Sequence, residues 1–401
     1  MKTKKVLVIG VGAFQKKGLD YLKSQNFYIV GIDGNFNASG KNICDKFFHC
    51  NLNELGRILE ISKSEKVDFA LGFECDPAVE AINIVNENLA LKALNEKARK
   101  ASMDKLLVRK LQKKLKLNCP EFYEIYNCEE LKKILGLTKN DWALKPIASS
   151  GSRGVELLNP ESDFALAFRR SSKFKKINDP LLLEEFIHGK EIALDGFCVN
   201  GQCHALALSH KDRTSAPYLL DEGLLISSDV TEEIALEAKR QLSIIFSYLQ
   251  SDLTSAYHAE FLCNEKGLYL VEFSFRGAGF NVFSTLIPAV TGFNTLEYSV
   301  AICESSNCSW SYACSDPKKR LYLGFFGGLD GTLKTVIIPD SIKNDPFVKE
   351  LKIYVKPGDE TNFLRSGSDR LGHIILLGSD NDLLKEKFYE MKNQVQFIYA
   401  D

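Results

Sequence analysis

The 401-residue chain lacks an excess of charge of either sign, since 51 lysines and arginines nearly balance 52 aspartates and glutamates. This balance gives no sign of a nucleic-acid partner or of an anionic membrane surface. No apolar run approaches the roughly 20 residues that a membrane-spanning helix requires. Internal repeats and low-complexity linkers are also missing. With 45% hydrophobic and 26% charged residues, the composition is that of a globular protein without a membrane partner.

A disulfide framework is missing as well, because the 11 cysteines are scattered along the chain. This usage favours a reducing, cytoplasmic setting. Cys303, Cys308 and Cys314 lie close together in the sequence. Their spacing is not C-x₂-C and no histidine lies nearby, so free thiols are favoured over a zinc site.

The first hundred residues alternate strand-like and helix-like segments. Apolar runs at residues 6–9, 28–33 and 67–73 are typical of buried parallel strands, with helical patterns at 14–24 and 77–88 between and after them. The alternation predicts a doubly wound α/β unit.

The glycine turn after the first strand resembles a dinucleotide fingerprint in part. Gly10 and Gly12 begin the pattern and Asp33 lies near the expected distance, but Gln15 stands where a further glycine is required. A structural use of the glycines is therefore favoured over NAD binding.

The rest of the chain changes character toward antiparallel sheet. Residues 92–116 predict one helix, which Asn118-Cys119-Pro120 ends. Asn200-Gly201 is a hairpin turn signal, and residues 231–249 predict an amphipathic helix. Further strands are expected at residues 142–146, 154–158, 181–187, 192–199, 203–209, 256–275 as a hairpin, and 371–377.

Two glutamates of the predicted hairpin carry the clearest chemical signal. A three-residue loop at Glu265-Lys266-Gly267 would place Glu260 directly opposite Glu272. Like charges in that position destabilise a sheet, and Mg²⁺ would compensate them because it binds carboxylate oxygens together with phosphates. Arg276 follows on the same face and could hold a phosphoryl oxygen or a carboxylate. Two solvated glutamates of an edge hairpin are an equal alternative on spacing alone.

Lys145 ends an apolar strand, and a Ser/Gly-rich turn follows at residues 149–154. Backbone N–H groups of such a turn can cradle phosphates while the lysine supplies a point charge. The segment is not a Walker A loop, because no Gly-Lys-Ser/Thr opens a helix. Alone it is a weak signal, since Ser/Gly loops between strands are most often simple turns.

Taken together and in order, these segments resemble the ATP-grasp superfamily of carboxylate–amine ligases along essentially the whole chain. The motifs are Met103-Asp104-Lys105, the Leu-Lys145-Pro strand and its loop, residues 184–191, and the hairpin ending in Glu-x-Ser-x-Arg. The resemblance implies a fold of the α/β and α+β classes. It comprises a Rossmann-like pre-ATP-grasp domain (1–100), an ATP-grasp domain (101–310, lid about 118–187) and a β-rich C-terminal part (311–401) that completes the core.

The resemblance also implies roles for individual residues. Arg276 looks like the catalytic residue that stabilises an acyl phosphate. The implied ATP-binding residues are Lys105, Lys145, Ser149, Ser150, Gly151, Ser152, Gly154, Glu184, Glu185, Phe186, Ile187 and Glu191. The implied ligands of Mg²⁺ (or Mn²⁺) are Glu260, Glu272 and Ser274, the last standing where the family usually has Asn. Expected substrate contacts are His210, Lys211, Arg213, Arg276 and Gly279, although the segment 210–213 could equally be a solvated loop.

The implied activity is ATP-dependent ligation of a small-molecule carboxylate to an amine through an acyl phosphate, with an amino-acid ligase as one form. A biotin-carboxylase-like enzyme ranks lower, because the chain has no Met-Lys-Met biotinylation segment. An NAD-dependent oxidoreductase and a non-catalytic ATP sensor are the alternatives from other classes. A homodimer is among the expected assemblies.

Overall fold

The computed structural model describes residues 3–136, 140–149, 151–214, 220–304, 309–312 and 318–400. Its N-terminal unit comprises β1 (Lys5–Ile9), α1 (Lys16–Ser24), β2 (Tyr28–Asp33), β3 (Lys46–His49), α2 (Leu55–Glu65), β4 (Phe69–Leu71) and α3 (Ala78–Asn88). The strands form a parallel sheet in the order β3-β2-β1-β4. Buried apolar side chains fill both faces of the sheet, so the predicted α/β unit is confirmed.

Internal hydrogen bonds close the glycine turn after β1. Gln15 is buried, and its Nε2 donates to the carbonyl oxygen of Phe73 at 3.0 Å. Asp33 Oδ2 accepts the N–H of Val11 at 2.8 Å. Gly10 adopts a φ of +85°, which favours glycine. These contacts support the structural use of the turn over NAD binding.

The segment expected to form one helix contains two, α4 (Glu96–Ala101) and α5 (Lys105–Lys114), so that prediction is wrong. The reason is Asp104, whose side chain accepts the N–H groups of Leu106 and Leu107 at 2.8 and 3.1 Å. This contact makes Asp104 the N-cap of a new helix. The backbone N–H of Lys105 donates to the carbonyl oxygen of Ile147 at 2.9 Å. The Met103-Asp104-Lys105 motif is therefore a helix start fastened to the loop after the Lys145 strand.

A small antiparallel sheet follows in the chain. Its elements are β5 (Phe122–Ile125), α6 (Cys128–Leu135), β6 (Trp142–Pro146), β7 (Glu156–Leu158), α7 (Phe164–Ser172) and β8 (Leu181–Glu185), with the strand order β5-β8-β6-β7. One face packs through Trp142, Leu144 and Leu183 against the two helices. Because side chains alternate along a strand, Lys145 and Glu184 lie on the opposite face.

The remaining elements are β9 (Lys190–Val199), β10 (Gln202–Arg213), β11 (Asp221–Ser227), α8 (Glu233–Leu249), β12 (Ser255–Asn264), β13 (Gly267–Ser274), α9 (Ile287–Thr291), α10 (Thr295–Glu304), β14 (Arg320–Phe326), β15 (Gly331–Ile337), α11 (Asp340–Lys343), β16 (Val348–Ile353), β17 (Glu360–Thr361), β18 (Gly372–Gly378), α12 (Asn381–Gln394) and β19 (Gln396–Tyr399). Most of these strands form a larger antiparallel sheet, in the order β13-β12-β9-β10-β11-β14-β18-β16. The strands β17, β15 and β19 form a separate small sheet, and a π-helical turn, Val282–Leu286, precedes α9.

The C-terminal strands β14, β16 and β18 belong to the same sheet as β9 to β13. The domain boundaries at residues 100 and 310 stay a prediction. Among the described helices, none combines the length and the apolar character that crossing a bilayer requires.

Candidate functional site

Glu260 and Glu272 face each other across β12 and β13, as the sequence predicted, but the path to this register differs. Asn264 pairs with Gly267, so the turn contains only Glu265 and Lys266, and the predicted three-residue loop is wrong. The register then shifts next to Glu260, because β13 carries one extra residue as a bulge. The shorter turn and the bulge offset each other, so Glu260 and Glu272 are paired across the two strands.

A cavity of about 390 Å³ is lined by both the small sheet and the large sheet. It combines apolar walls with convergent charged groups, which is typical of a small-molecule site. The predicted site residues among its walls are Lys105, Lys145, Ser149, Gly151, Ser152, Glu184, Glu185, Phe186, Ile187, Glu191, Lys211, Arg213, Glu260 and Glu272. The structure thus brings most of the sequence-predicted residues to one place.

Ser274 and Arg276 line an adjacent cavity of about 160 Å³, which shares Lys105, Ser149 and Glu272 with the larger one. The described walls of the two cavities do not include His210, Gly154 or Gly279. His210 instead lies 3.7 Å from Glu232. Gly154 has a φ of +75°, and a Cβ there would come within 2.8 Å of Phe174 and 3.0 Å of Pro146; its contact with ATP stays a prediction. Ser150 lies outside the described residues.

Glu184 is a buried acid that two cations share. Lys145 Nζ lies 2.6 Å from its Oε1, and Arg109 Nε donates to its Oε2 at 2.8 Å. Burial alone would raise the pKa of Glu184, but the charges of Arg109 and Lys145 outweigh it and lower that pKa to about 2. Burial lowers the pKa of Lys145. Glu184 is therefore an ionised carboxylate that lies between two basic side chains in the cavity wall.

Arg109 was not predicted from the sequence, since an arginine in an amphipathic helix is most often exposed. It also donates to the carbonyl oxygens of Leu270 and Val271 at 2.8 and 3.0 Å. Arg109 thereby joins α5, the small sheet through Glu184, and the acidic hairpin.

Each of the two opposed glutamates has a lysine partner. Lys105 Nζ lies 2.7 Å from Glu272 Oε2, and Lys211 Nζ lies 2.5 Å from Glu260 Oε1. Burial alone would raise the pKa of Glu260, but Lys211 and His258 hold this pKa well below its ordinary value. The Glu260 carboxylate is therefore held in its ionised form, and a lysine lies beside each of the two opposed glutamates.

Lys211 and Arg213 extend this network to Glu191. Lys211 Nζ lies 2.9 Å from Glu191 Oε1, and Arg213 Nη2 lies 2.9 Å from Oε2. Arg213 also contacts Asp221 at 2.5 Å. Burial raises the pKa of Glu191 despite both cations. Because these cations already have acidic partners, their predicted contact with a substrate carboxylate stays a prediction.

His258 bridges Glu260 to a buried aspartate that the sequence analysis missed. Its Nδ1 lies 3.0 Å from Asp195 Oδ1, and its Nε2 lies 3.2 Å from Glu260 Oε1. Burial would lower the pKa of His258, but the two acids raise it to about 9. Asp195 interrupts the apolar strand β9, where an unpaired charge would be costly; that interruption is the signal that could have revealed it.

The donor set of Glu260 and Glu272 fits a magnesium ion. Mg²⁺ is commonly held by one or two carboxylates and completes its shell with substrate phosphates and water. Among the described residues, no group of three or more His, Cys, Asp or Glu side chains is arranged around one metal position. The hydroxyl of Ser274 donates to Asp76 Oδ1 at 2.7 Å, and its role as a metal ligand stays a prediction. Cys308 and Cys314 lie outside the described residues.

Most residues that line the larger cavity lie in a part of the chain that matches a known family model. Residues 139–283 match the family model of the ATP-grasp domain. This chain carries an ATP-grasp domain. A second model, the L-amino acid ligase C-terminal domain 2, matches residues 325–400 of this chain.

Curated proteins similar to this chain include formate-dependent phosphoribosylglycinamide formyltransferases. A formate-dependent phosphoribosylglycinamide formyltransferase of Prochlorococcus marinus (strain MIT 9515) is 28% identical over 196 residues, which is 46% of this chain and 48% of the relative. The chain therefore spans about half the length of this curated relative.

The fold is shared over the full length with solved structures. An L-amino acid ligase from Bacillus licheniformis superposes with a TM-score of 0.85 at 16% identity, covering 100% of both chains. A phosphoribosylglycinamide synthetase from Anaerococcus prevotii gives 0.74 at 19% identity, also with 100% of both chains covered. At these identities the likeness shows the fold alone, which is the ATP-grasp fold.

Proposed function

We propose that the chain is an ATP-dependent ligase that joins a small-molecule carboxylate to an amine and releases ADP and phosphate. The observation that carries this proposal is the convergence of Lys105, Lys145 and the opposed pair Glu260 and Glu272 on one cavity. Lysines suit phosphate oxygens, and paired carboxylates suit a divalent cation. The match to an L-amino acid ligase C-terminal domain supports an amino acid as one substrate.

The proposed roles follow from the position of each group in the cavity. Lys105 and Lys145 bind the phosphates of ATP, and the loop at residues 149–154 covers them. Glu185, Phe186 and Ile187, at the end of β8, line the adenine pocket. Glu191 accepts a hydrogen bond from the ribose. Glu260 and Glu272 hold Mg²⁺ or Mn²⁺, which when bound spreads the negative charge of the phosphoryl group.

The chemistry requires no side-chain nucleophile. A carboxylate is a poor acylating group, and transfer of the γ-phosphoryl group of ATP to its oxygen converts it to an acyl phosphate. The amine then attacks the acyl carbon, and phosphate leaves. Lysines near the phosphates stabilise the developing charge, and a closed loop keeps water from the acyl phosphate. Arg276 lines the adjacent cavity, and its proposed role is to stabilise the acyl phosphate.

We expect ADP release only when MgATP, a carboxylate and an amine are all present. Coupled detection of ADP across a panel of amino acids and amines measures this dependence, with omission of each component as the control. ADP formed with bicarbonate and no amine would favour a carboxyphosphate-forming enzyme instead. NADH binding without ATP binding would contradict the ligase proposal.

Replacing Lys145 with methionine should weaken ATP binding by about 10- to 100-fold, since a hydrogen bond to a charged group contributes about 1.5–3 kcal/mol. Glu184 would keep Arg109 as its partner, so the wall of the cavity should persist. Isothermal titration with ATP measures the affinity. Lys132→Met serves as the matched control, because Lys132 lies on α6 with its side chain 48% exposed. Equal ATP affinity in the two variants would contradict the role of Lys145.

The cellular location and the assembly of the protein complete the proposal. The proposed location is the cytoplasm, where thiols stay reduced. The homodimer stays a prediction, and light scattering after size-exclusion chromatography would show twice the mass of the 401-residue chain.

A further inference from the structure

Asp76, in the N-terminal unit, contacts the end of the strand that carries Glu272. It accepts two hydrogen bonds from Arg276, Nε to Oδ1 at 2.7 Å and Nη2 to Oδ2 at 2.8 Å. Its Oδ1 also accepts the hydroxyl of Ser274 at 2.7 Å. The side chains of Arg276 and Asp76 are only 18% and 19% exposed. Solvent therefore competes little with this bidentate pair.

The contact with Asp76 leaves a defined edge of the Arg276 guanidinium for another ligand. An arginine has five N–H donors in one plane. Asp76 receives one from Nε and one from Nη2, and the carbonyl oxygen of Gly277 receives one from Nη1 at 2.9 Å. By the contacts of the described residues, one N–H on each terminal nitrogen remains, and the two form a planar fork suited to an oxyanion.

The carboxylate of Asp76 is itself held in place. Its neighbour Glu74 accepts the backbone N–H groups of Asn281 and Ser284 at 2.8 and 2.9 Å. Glu74 has a φ of +51°, a conformation that non-glycine residues rarely adopt without tertiary support. On the other side, Pro77 is the N-cap of α3. The chain is therefore anchored on both sides of Asp76, which limits how far its carboxylate can move.

Arg276 reaches the smaller cavity, whose walls also include Lys105 and Glu272. A group bound there would lie beside the proposed phosphate and metal positions. An oxyanion that developed next to the transferred phosphoryl group would thus meet a fork whose direction is fixed before it arrives. Such fixed donors stabilise charge without having to reorganise.

We propose that Asp76 is a positioning residue, which holds the Arg276 guanidinium so that its terminal edge forms an oxyanion subsite in the smaller cavity. The inference rests on the proposed function of the site and adds to it a residue from the N-terminal unit. A purely structural ion pair, joining that unit to the hairpin, is the competing explanation. The positioning role and the structural ion pair predict different phosphate affinities for a variant that keeps the charge of Asp76 but moves it.

The discriminating variant is Asp76→Glu, which keeps the charge and moves the carboxylate by one methylene. We expect it to lower the affinity for inorganic phosphate, titrated in the presence of MgADP, by about 10-fold, because the fork is displaced. Asp76→Asn, which loses one of the two acceptors, should lower phosphate affinity at least as much. The affinity for ADP alone should stay within about twofold in both variants, since Asp76 is remote from the adenine pocket.

Asp45→Asn is the matched control, because Asp45 also pairs with a cation, Lys23 at 2.6 Å, and accepts a backbone N–H in the same unit. It should bind phosphate like the wild-type chain. Wild-type phosphate affinity in Asp76→Glu would overturn the positioning role and leave the structural ion pair. The phosphate affinity of Asp76→Glu could fall as expected while no carboxylate–amine pair supports ADP release by the wild-type chain. In that case the proposed function fails and the positioning role of Asp76 stands.

Discussion

Glu272→Gln is expected to lower ATP-dependent turnover by about 10²- to 10³-fold, because it removes one of two opposed carboxylates from the proposed metal site. Glutamine keeps the shape of the side chain and one oxygen, so the hairpin should fold as before. The lost negative charge weakens the hold on Mg²⁺, and with it the screening of the phosphoryl group. Lys105, which lies 2.7 Å from Glu272 Oε2, would lose the charge of that partner but would remain available to phosphate.

The matched control is Glu265→Gln, which makes the same substitution at an exposed position in the turn of the same hairpin. Turnover is measured by coupled ADP release, and Mn²⁺ binding by paramagnetic resonance provides a readout that is independent of catalysis. Both should fall in Glu272→Gln and neither in Glu265→Gln. Similar values for the two variants would show that Glu272 is not a metal ligand.

The opposition of Glu260 and Glu272 shows how far the sequence could reach. The alternation of apolar residues fixed which face each glutamate occupies, and this part of the prediction was correct. The sequence pattern could not predict the turn length or the bulge. One extra residue in β13 has a small local free-energy cost, and packing across the whole sheet decides whether it is present. The predicted pairing of Glu260 with Glu272 is nevertheless correct, because the turn is one residue shorter than predicted and β13 carries one residue more.

Site residues that belong to a sequence motif could be predicted, whereas the side chains that form ion pairs with them could not. Lys145 stands out by its place at the end of an apolar strand, but the sequence gives its counterion Glu184 only as one of the implied ATP-binding residues. Asp76 and Arg276 are 200 positions apart, and Asp195 and His258 are 63 apart. Spacing in the sequence carries no information on such pairs, because tertiary structure alone brings them together.

The helix break at Asp104 has a local sequence signal, an N-cap residue, which the helix-favouring composition of the segment obscures. The Lys/Leu/Ala composition of residues 92–116 favoured a continuous helix, and helix propensity differs little between such residues. An aspartate followed by an apolar helical pattern is, however, an N-cap signal. Giving the cap its weight would have placed Lys105 at the start of a helix, as observed.

Replacing Glu184 with glutamine should give the largest loss of stability, about 3–5 kcal/mol, because Arg109 and Lys145 would remain buried without a counterion. Urea denaturation measures the free energy of unfolding. The matched control is Glu124→Gln on the neighbouring strand β5, where Glu124 pairs with Lys110 at a side-chain exposure of 34% and 48%. Such an exposed pair contributes at most about 1 kcal/mol. Equal losses in the two variants would contradict the buried cluster.

The pH dependence separates this cluster from a general loss of packing. The pKa of Glu184 in the folded chain is about 2, below the ordinary value of 4.5. Its contribution is therefore complete above about pH 4.5 and is lost as the pH falls through 2. The difference in unfolding free energy between wild type and Glu184→Gln should shrink as the pH falls below 4.5, because the wild-type carboxylate then gains the proton that glutamine mimics. Adding Lys145→Met to Glu184→Gln should restore part of the stability, since only one buried cation would then lack a partner.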